Sequence, residues 1–194
     1  YKGARVPYVS ANVVDEVTNQ PILPPYVIKR VHGVPIAFVG AVLEATPTIV
    51  TPTGVAGLEF FDEADAANSY VPELKAQGVK SIVLLIHQGS SQSSYTTQTN
   101  AALSNSVLNG TDILDVVTRL DSEFDVVVSG HAHSFTNVLI TNNGGKKILV
   151  TQAFSASTAY DDIDLTIDPV SKDVVSTTHP QKKKNNKNGG GRGP

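Results

Sequence analysis

The pattern of hydrophobic and polar positions alternates between helical and strand periods along the chain. Residues 80–86 (KSIVLLI) are apolar on both faces, and residues 124–129 (FDVVVS) repeat that pattern. Strands apolar on both faces are typical of central strands that are covered on both sides. A helical stretch separates the two strands, and its predicted buried stripe consists of Ile113, Val116, Val117 and Leu120. This alternation predicts an α/β fold.

Shorter apolar runs precede this region. Residues 5–14 indicate a buried strand that runs into a turn, and residues 26–31 and 34–42 indicate a hairpin through His32-Gly33. Residues 45–57 contain Pro and Gly but no helical period, which predicts a long loop with a possible functional role.

A helix is predicted between this loop and the first central strand. Asp62 is the expected N-cap, Gln77 the last helical residue and Gly78 the C-cap. Pro72 lies inside this helix, where it removes one backbone hydrogen bond.

Three further strands are expected at residues 136–142, 147–153 and 161–168, and Asn-Gly-Gly joins the first two in a hairpin. Residues 88–110 are rich in Ser, Thr, Asn and Gln. They indicate a polar insertion with a short helix near residues 100–108.

Composition and charge narrow the possible functions. The chain has no Cys, which excludes thiolate metal sites and cysteine nucleophiles, and no apolar run long enough to span a membrane. Residues 181–194 hold five of the 15 basic residues and no acidic one. The other 180 residues carry ten basic and 18 acidic groups, a net charge of −8. Such an acidic body argues against binding of a nucleic-acid polymer.

Three of the five histidines follow central strands directly. His87 comes after SIVLLI, and His131 and His133 come after FDVVVSG. Ligands of open α/β sheets bind at the carboxyl ends of the strands, and residues i and i+2 of an extended segment point the same way. We therefore predict that these three histidines bind a metal, whereas His32 and His179 do not. Neutral imidazole suits zinc, manganese or iron alike.

The blocks around these histidines resemble the 5′-nucleotidase and 2′,3′-cyclic-nucleotide phosphodiesterase branch of the calcineurin-like metallophosphoesterases. LLIHQG resembles the His-x-Gly motif of this family, and FDVVVSGHAH resembles its Asp-x-x-x-x-Gly-His-x-His motif. VPYVSANV, VHGVPIAFVGAV and VTQAFSASTAYDDIDLTID resemble flanking strands of the catalytic domain. TPTGVAGLEFFDEAD resembles the version found in secreted and cell-wall bacterial members, which implies a secreted, cell-wall or periplasmic location.

The resemblance implies an α/β/β/α sandwich in which two divalent metal ions activate a bridging hydroxide that attacks phosphorus. His87 and His131 would bind one ion and His133 the other. Two ions about 3.5–4 Å apart stabilise the attacking and leaving oxygens of phosphoryl transfer. The implied substrate is a nucleotide or another phosphomonoester. Candidates for orienting the imidazoles are Asp125, Ser129 and Gln152, and Asn12 could line the site, although a structural role is also open for each.

The chain also departs from the family pattern. It contains no Asp-x-His, Gly-Asp or Gly-Asn-His-Glu motif, so every carboxylate ligand and the catalytic histidine of the family are missing. We predict a metallophosphoesterase domain portion over residues 1–170, without its opening strands and without a catalytic residue of its own. Residues 171–194 are predicted to form a basic, Gly-rich tail.

Three interpretations remain open from the sequence. The chain begins at Tyr1 and contains no Met, which favours a piece of a longer precursor. It could be a cleaved fragment associated with its N-terminal piece, or part of a longer chain. It could also be a non-catalytic metal- or ligand-binding protein that keeps the fold.

Overall fold

The computed structural model describes residues 3–92, 108–110, 112–178 and 182–183. His179, nearly all of the short helix predicted near residues 100–108, and most of the tail over residues 181–194 lie outside the described residues. The strands are β1 (Val13–Asp15), β2 (Tyr26–Val31), β3 (Val34–Val42), β4 (Leu58–Phe60), β5 (Ile82–His87), β6 (Ser91–Gln92), β7 (Leu108–Asn109), β8 (Phe124–Val128), β9 (Phe135–Thr141), β10 (Lys147–Ala153), β11 (Ala159–Tyr160), β12 (Asp164–Ile167), β13 (Val174–Thr178) and β14 (Lys182–Lys183). The helices are α1 (Thr46–Ile49), α2 (Glu63–Ser69), α3 (Val71–Ala76) and α4 (Asp112–Arg119), with a 3₁₀ turn at Pro52–Gly54.

The main sheet has the strand order β2-β3-β5-β8-β10-β9 in the described part of the chain. Strands β3, β5, β8 and β10 are parallel, whereas β2 and β9 pair antiparallel at the two edges. The two strands predicted as central, β5 and β8, are hydrogen-bonded neighbours in the middle of the sheet. The carboxyl ends of the parallel strands therefore meet at one edge, where the sequence places its histidines.

Both predicted hairpins are present. Strands β2 and β3 pair around His32 and Gly33, whose φ angles of 49° and 85° both lie in the left-handed region that a tight hairpin turn requires. Strands β9 and β10 pair along their full length on either side of residues 142–146. Register is fixed in both hairpins because the turn leaves only one alignment of the flanking strands.

The predicted single helix over residues 62–77 is divided into α2 and α3. Asp62 caps α2 as expected, because its side chain accepts a hydrogen bond from the backbone N–H of Asp65. Pro72 cannot donate the backbone bond that a continuous helix needs, and it lies in the first turn of α3. Gly78 follows Gln77, the capping residue of this second helix, and adopts φ 77°, as a glycine that ends a helix commonly does.

The main apolar core lies between the helices and one face of the sheet. It contains Ile82, Leu84 and Ile86 of β5, and all four residues of the predicted stripe on the second helical stretch are buried there. The other face carries a smaller cluster around Val83, against which the β12–β13 hairpin packs Ile163, Leu165 and Ile167. Leu85 is 36% exposed on the central strand β5, so this second layer leaves the sheet open toward its carboxyl edge.

Two boundaries differ from the sequence prediction. Only Val13 and Val14 of the predicted strand 5–14 lie in a sheet strand, β1. Residues 3–8 are exposed, and no neighbouring strand pairs with them in the described part of the chain. The folded structure also continues past residue 170, where we placed the start of the tail. Asp168 accepts hydrogen bonds from the N–H groups of Val170 and Ser171, and the resulting turn returns Val174–Thr178 to pair with β12.

The predicted loop 45–57 contains short helical turns instead of uniformly irregular backbone. Pro47 and Pro52 each stand in the first turn of one of them, at positions where the missing N–H costs nothing. Among the described residues, no helix combines the length and the apolar character needed to cross a membrane.

Candidate metal centre

The three predicted ligands lie at the carboxyl edge of the central strands. His87 is the last residue of β5, and His131 and His133 lie in the loop that follows β8. The parallel register pairs Leu85 with Val128, so both strands end at nearly the same level. All three histidines are exposed at this edge, which leaves their imidazoles accessible to an incoming ion.

His87 and His131 lie side by side. Their ring centroids are 5.3 Å apart, and the ring planes are inclined by 76°. Partial burial lowers the pKa of His87, and positive charge on His131 and His133 lowers it further. A lowered pKa keeps the imidazole of His87 neutral at neutral pH, which is the form that binds a metal ion.

The backbone around His131 and His133 is left-handed, whereas we expected an extended segment. Their φ angles are 66° and 51°, and Ala132 N–H donates to the carbonyl of Gly130 at 2.7 Å in a tight turn. The argument that residues i and i+2 point the same way is therefore wrong here. His131 approaches His87 because the loop curls, and the potential ligand atoms of the three histidines do not all lie within 4.8 Å of one another.

A second left-handed segment lies beside this loop. Phe154, Ala156 and Ser157 follow β10 and have φ angles of 57°, 51° and 57°. The N–H of Phe154 donates to the carbonyl of Ser134 at 2.9 Å, which joins the two loops. Left-handed backbone costs a residue with a side chain about 1–2 kcal/mol, and such strain often accumulates at functional sites. The clustering at this edge was not visible in the sequence.

The ends of β5 and β8 are in direct backbone contact. A Cβ added to Gly89 would lie 2.1 Å from the carbonyl oxygen of Gly130 and 2.8 Å from Oε1 of Gln152. The N–H of Gly130 donates to the carbonyl of Gln88 at 3.2 Å. Glycine at position 89 is thus what permits the loop after His87 to approach the loop that carries His131.

The predicted orienting residues have other contacts. Asp125 lies near the opposite, amino-terminal end of β8, where it accepts a hydrogen bond from the N–H of Ile82. The hydroxyl of Ser129 donates to the carbonyl of Thr151 at 2.7 Å. Gln152 Nε2 donates to the carbonyl of Ser90 at 2.8 Å, three residues beyond the end of β5.

Asn12 joins three parts of the backbone. It is fully buried, its Nδ2 donates to the carbonyls of Val42 and Phe61, and its Oδ1 accepts from the N–H of Val42. Val42 is the register partner of His87 in the parallel pair β3–β5. Asn12 therefore fixes the end of the strand adjacent to His87, which is the structural alternative that the sequence left open.

A group of acidic residues that the sequence did not indicate lies at the same edge. Carboxylate oxygens of Glu44, Asp62 and Glu63 lie within 4.8 Å of one another and border a cavity of about 520 Å³ that Gln88 also lines. Glu63 is buried and accepts a hydrogen bond from the N–H of Glu44, while Asp62 is paired with Arg119. Asp62 and Glu63 therefore each have a protein partner without an ion. Asp62 and Glu63 are adjacent in the sequence, but Glu44 lies 18 positions before Asp62, so no short motif indicates the group.

The histidines provide donors that fit part of a metal site. Neutral imidazole is a ligand for zinc, manganese and iron, and a pair of rings 5.3 Å apart can share one ion after small rotations. Among the described residues, no carboxylate forms, together with two of these histidines, a group whose ligand atoms all lie within 4.8 Å of one another.

Comparison with known proteins relates the chain to phosphoesterases. It is 37% identical over 90% of its length to an endonuclease of Bacillus subtilis, and 31% identical over 87% to a cell wall protein of Listeria monocytogenes. It is 30% identical over 68% of its length to a 2′,3′-cyclic-nucleotide 2′-phosphodiesterase/3′-nucleotidase of Salmonella typhimurium. The chain spans only 13%, 21% and 20% of these three relatives. No family model matches the chain.

Solved structures identify the fold. A 5′-nucleotidase precursor from Thermus thermophilus superimposes with a TM-score of 0.72 at 24% identity, over 94% of the chain and 34% of that protein. A calcineurin-like phosphoesterase from Bacillus subtilis superimposes with a TM-score of 0.71 at 21% identity, over 94% of the chain and 57% of that protein. The chain thus has the mixed α/β fold of the calcineurin-like phosphoesterases. It covers only part of the length of each of these two proteins. The resemblance seen in the sequence, to phosphoesterases that include 5′-nucleotidases and 2′,3′-cyclic-nucleotide phosphodiesterases, is confirmed.

Proposed function

We propose that this chain supplies the histidine side of a metal-dependent phosphomonoesterase of the 5′-nucleotidase type. The observation that carries the proposal is the approach of His87 to His131, at 5.3 Å between ring centroids, at the edge where the parallel strands end. The names of related proteins support a nucleotide or a similar phosphomonoester as the substrate. The net negative charge of residues 1–180 favours small substrates, whereas the name of the Bacillus subtilis relative, an endonuclease, supports a nucleic-acid polymer as the competing substrate.

The proposed ligand assignment follows the family resemblance. His87 and His131 would hold one divalent ion and His133 a second. Bound ions of this kind stabilise the negative charge that develops on phosphoryl oxygens. The chain's own contribution is to favour the neutral imidazole of His87 through its partial burial, and to bring His131 beside it through the turn at Gly130.

We propose that the described residues supply only the histidine part of such a site, and that the chain alone does not hydrolyse phosphomonoesters. The missing carboxylates would come from polypeptide outside these 194 residues. The small share of each relative that the chain spans supports this. A location outside the cytoplasm is proposed on similar grounds, because one relative is named a cell wall protein.

Zinc titration of the purified chain by calorimetry tests the metal site. We expect His131→Asn and His133→Asn to weaken zinc binding by more than about 10-fold, since even residues behind the ligands are typically worth 10- to 100-fold. Asn tolerates the left-handed backbone of both positions, so these variants remove the imidazole without new strain. The matched control is His32→Asn, at φ 49° in the β2–β3 turn, which should leave zinc affinity unchanged.

The outcomes separate the proposal from its alternative. Failure of the wild-type chain to bind zinc or manganese would overturn the proposed metal site and favour a protein that keeps the fold without the chemistry. Equal zinc affinity in His32→Asn and His131→Asn would do the same. Hydrolysis of p-nitrophenyl phosphate by the chain alone, above a metal-only blank, would show that no further groups are needed.

The pH dependence of zinc binding provides a second test. Protons compete with metal for imidazole nitrogen, and the lowered pKa of His87 delays this competition to lower pH. We expect constant affinity from pH 8 down to about 7 and a progressive loss below about pH 6. A zinc affinity that does not change between pH 7.5 and 5 would indicate carboxylate ligands and contradict the assignment to histidines.

A further inference from the structure

The segment that follows His87 is attached to the sheet by buried side chains from β9 and β10. Ser90 is 4% exposed, and its carbonyl accepts two hydrogen bonds. One comes from the hydroxyl of Thr136 at 3.0 Å and the other from Nε2 of Gln152 at 2.8 Å. Thr136 is fully buried and Gln152 is 1% exposed. A carbonyl that accepts two buried donors is held more firmly than one turned toward water.

A third contact continues this attachment. The N–H of Asn137 donates to Oε1 of Gln92 at 2.9 Å, and the Gln92 side chain is buried. Thr136 and Asn137 are consecutive residues of β9, and they bind Ser90 and Gln92 respectively. We call residues 88–92 the post-His87 segment. This segment directly follows His87, the last residue of β5.

The post-His87 segment also determines how close the two histidine-bearing strand ends can come. The carbonyl of Gln88 accepts a hydrogen bond from the N–H of Gly130. Gly89 packs against the carbonyl oxygen of Gly130. His131 follows Gly130 directly. A displacement of Ser90 would move Gln88 and Gly89 away from Gly130, and the 5.3 Å spacing of the rings would increase.

We propose that Thr136 and Gln152 are positioning residues for the metal site: through the carbonyl of Ser90 they hold the end of β5 against the loop that carries His131. This inference rests on the proposed function, because it assigns a role at the same histidines. Neither residue acts as a ligand in it. Their contribution is to keep two imidazoles at a spacing that one ion can bridge before the ion arrives.

The test compares isosteric variants by zinc affinity and by hydrogen exchange. Thr136→Val removes one hydroxyl at nearly constant volume, and Gln152→Met removes the amide donor. Each should lower zinc affinity by about 10-fold, as is typical of residues behind metal ligands. Thr136→Ser keeps the hydroxyl and should restore zinc affinity to within about threefold of the wild-type value. Amide exchange over residues 88–92 should accelerate in the first two variants only.

The matched control is Thr151→Val. Thr151 is a fully buried threonine on β10, and its hydroxyl has no hydrogen-bond partner among the described residues. The same substitution there removes a hydroxyl of the same sheet without touching Ser90. It should leave both zinc affinity and the exchange of residues 88–92 unchanged, which separates a local effect on the segment from a general loss of stability.

Each result has a defined meaning. Unchanged exchange in Thr136→Val and Gln152→Met would overturn the attachment itself. Faster exchange with unaltered zinc affinity would overturn the positioning role and leave a structural one. Wild-type protein that binds no zinc would overturn the proposed function and this inference together, whereas loss of binding in His131→Asn but not in Thr136→Val would overturn only the inference.

Discussion

The ion pair between buried Asp125 and partly exposed Lys146 leads to a prediction about stability and pH. Asp125 is 1% exposed, and its Oδ1 lies 2.9 Å from Nζ of Lys146. Its Oδ2 accepts the N–H of Ile82 at 3.2 Å, at the start of the central strand β5. Burial raises the pKa of Asp125 to about 6, and the hydrogen bond and charge of Lys146 oppose this rise.

The direction of the pH effect follows from the pKa difference. The pKa of Asp125 in the folded protein, about 6, is above its ordinary value of 3.8. The folded state therefore binds the proton more tightly than the unfolded state. This carboxyl contributes most to stability below about pH 3.8, and its contribution is lost as the pH rises through about 6. A shift of about two pKa units corresponds to about 3 kcal/mol.

The perturbation is Lys146→Met, which leaves the carboxylate of Asp125 buried and without its cation. Removing one partner of a buried pair lowers the free energy of unfolding by about 3–5 kcal/mol. We expect a loss of about 3 kcal/mol at pH 8, because the Lys146 side chain is 29% exposed. At pH 4.5 Asp125 is protonated in both proteins, so the difference should fall below about 1 kcal/mol.

Urea denaturation followed by far-UV circular dichroism measures these differences, since the chain has no Trp for fluorescence. Lys147→Met is the control, because this neighbouring lysine is exposed and should change stability by less than about 0.5 kcal/mol at either pH. In an Asp125→Asn background, Lys146→Met should lose its pH dependence. An equal cost of Lys146→Met at pH 8 and pH 4.5 would refute the reasoning.

Two further substitutions test how the strand ends are held. Asn12→Ala removes three hydrogen bonds to buried backbone and should cost about 3 kcal/mol in urea denaturation, against less than about 0.5 kcal/mol for exposed Asn143→Ala. A loss below about 1 kcal/mol would contradict this account. Gly89→Ala forces a Cβ to within 2.1 Å of the carbonyl of Gly130, so it should cost about 1–3 kcal/mol and weaken zinc binding. Gly54→Ala, where nothing lies within 4 Å of the added Cβ, should change neither the stability nor the zinc affinity.

Local sequence signals determined most of the elements. The apolar run of β5, the turn residues at His32-Gly33 and the cap at Asp62 act within a few residues of themselves, so their outcome is fixed by nearby chemistry. The order of helix and central strand was sufficient to predict an α/β sheet with histidines at its carboxyl edge. Element ends were less accurate where pairing decides them, as at residues 5–12 and beyond residue 170.

The geometry of the candidate site was decided by tertiary contacts. The sequence placed His131 and His133 after a strand but indicated extended backbone, whereas both residues are left-handed. The preceding residue, Gly130, donates its N–H to the carbonyl of Gln88 in a distant segment, a contact that no local pattern encodes. Gln152 is a similar case, because its Nε2 donates to the carbonyl of Ser90, a partner 62 positions away that no local pattern indicates.

Sequence by itself determined which chemistry the chain can offer: three histidines after two apolar strands, no thiol, and none of the carboxylate motifs that the resembling family uses. Tertiary structure alone decided which of these groups meet, since His87 and His131 are 44 positions apart in the sequence and 5.3 Å apart between ring centroids. The physical reason is that side-chain type is a local property, whereas the spacing of side chains at a strand edge is not. That spacing depends on the sheet register, on the contact of Gly89 with the carbonyl of Gly130, and on buried hydrogen bonds from two other strands.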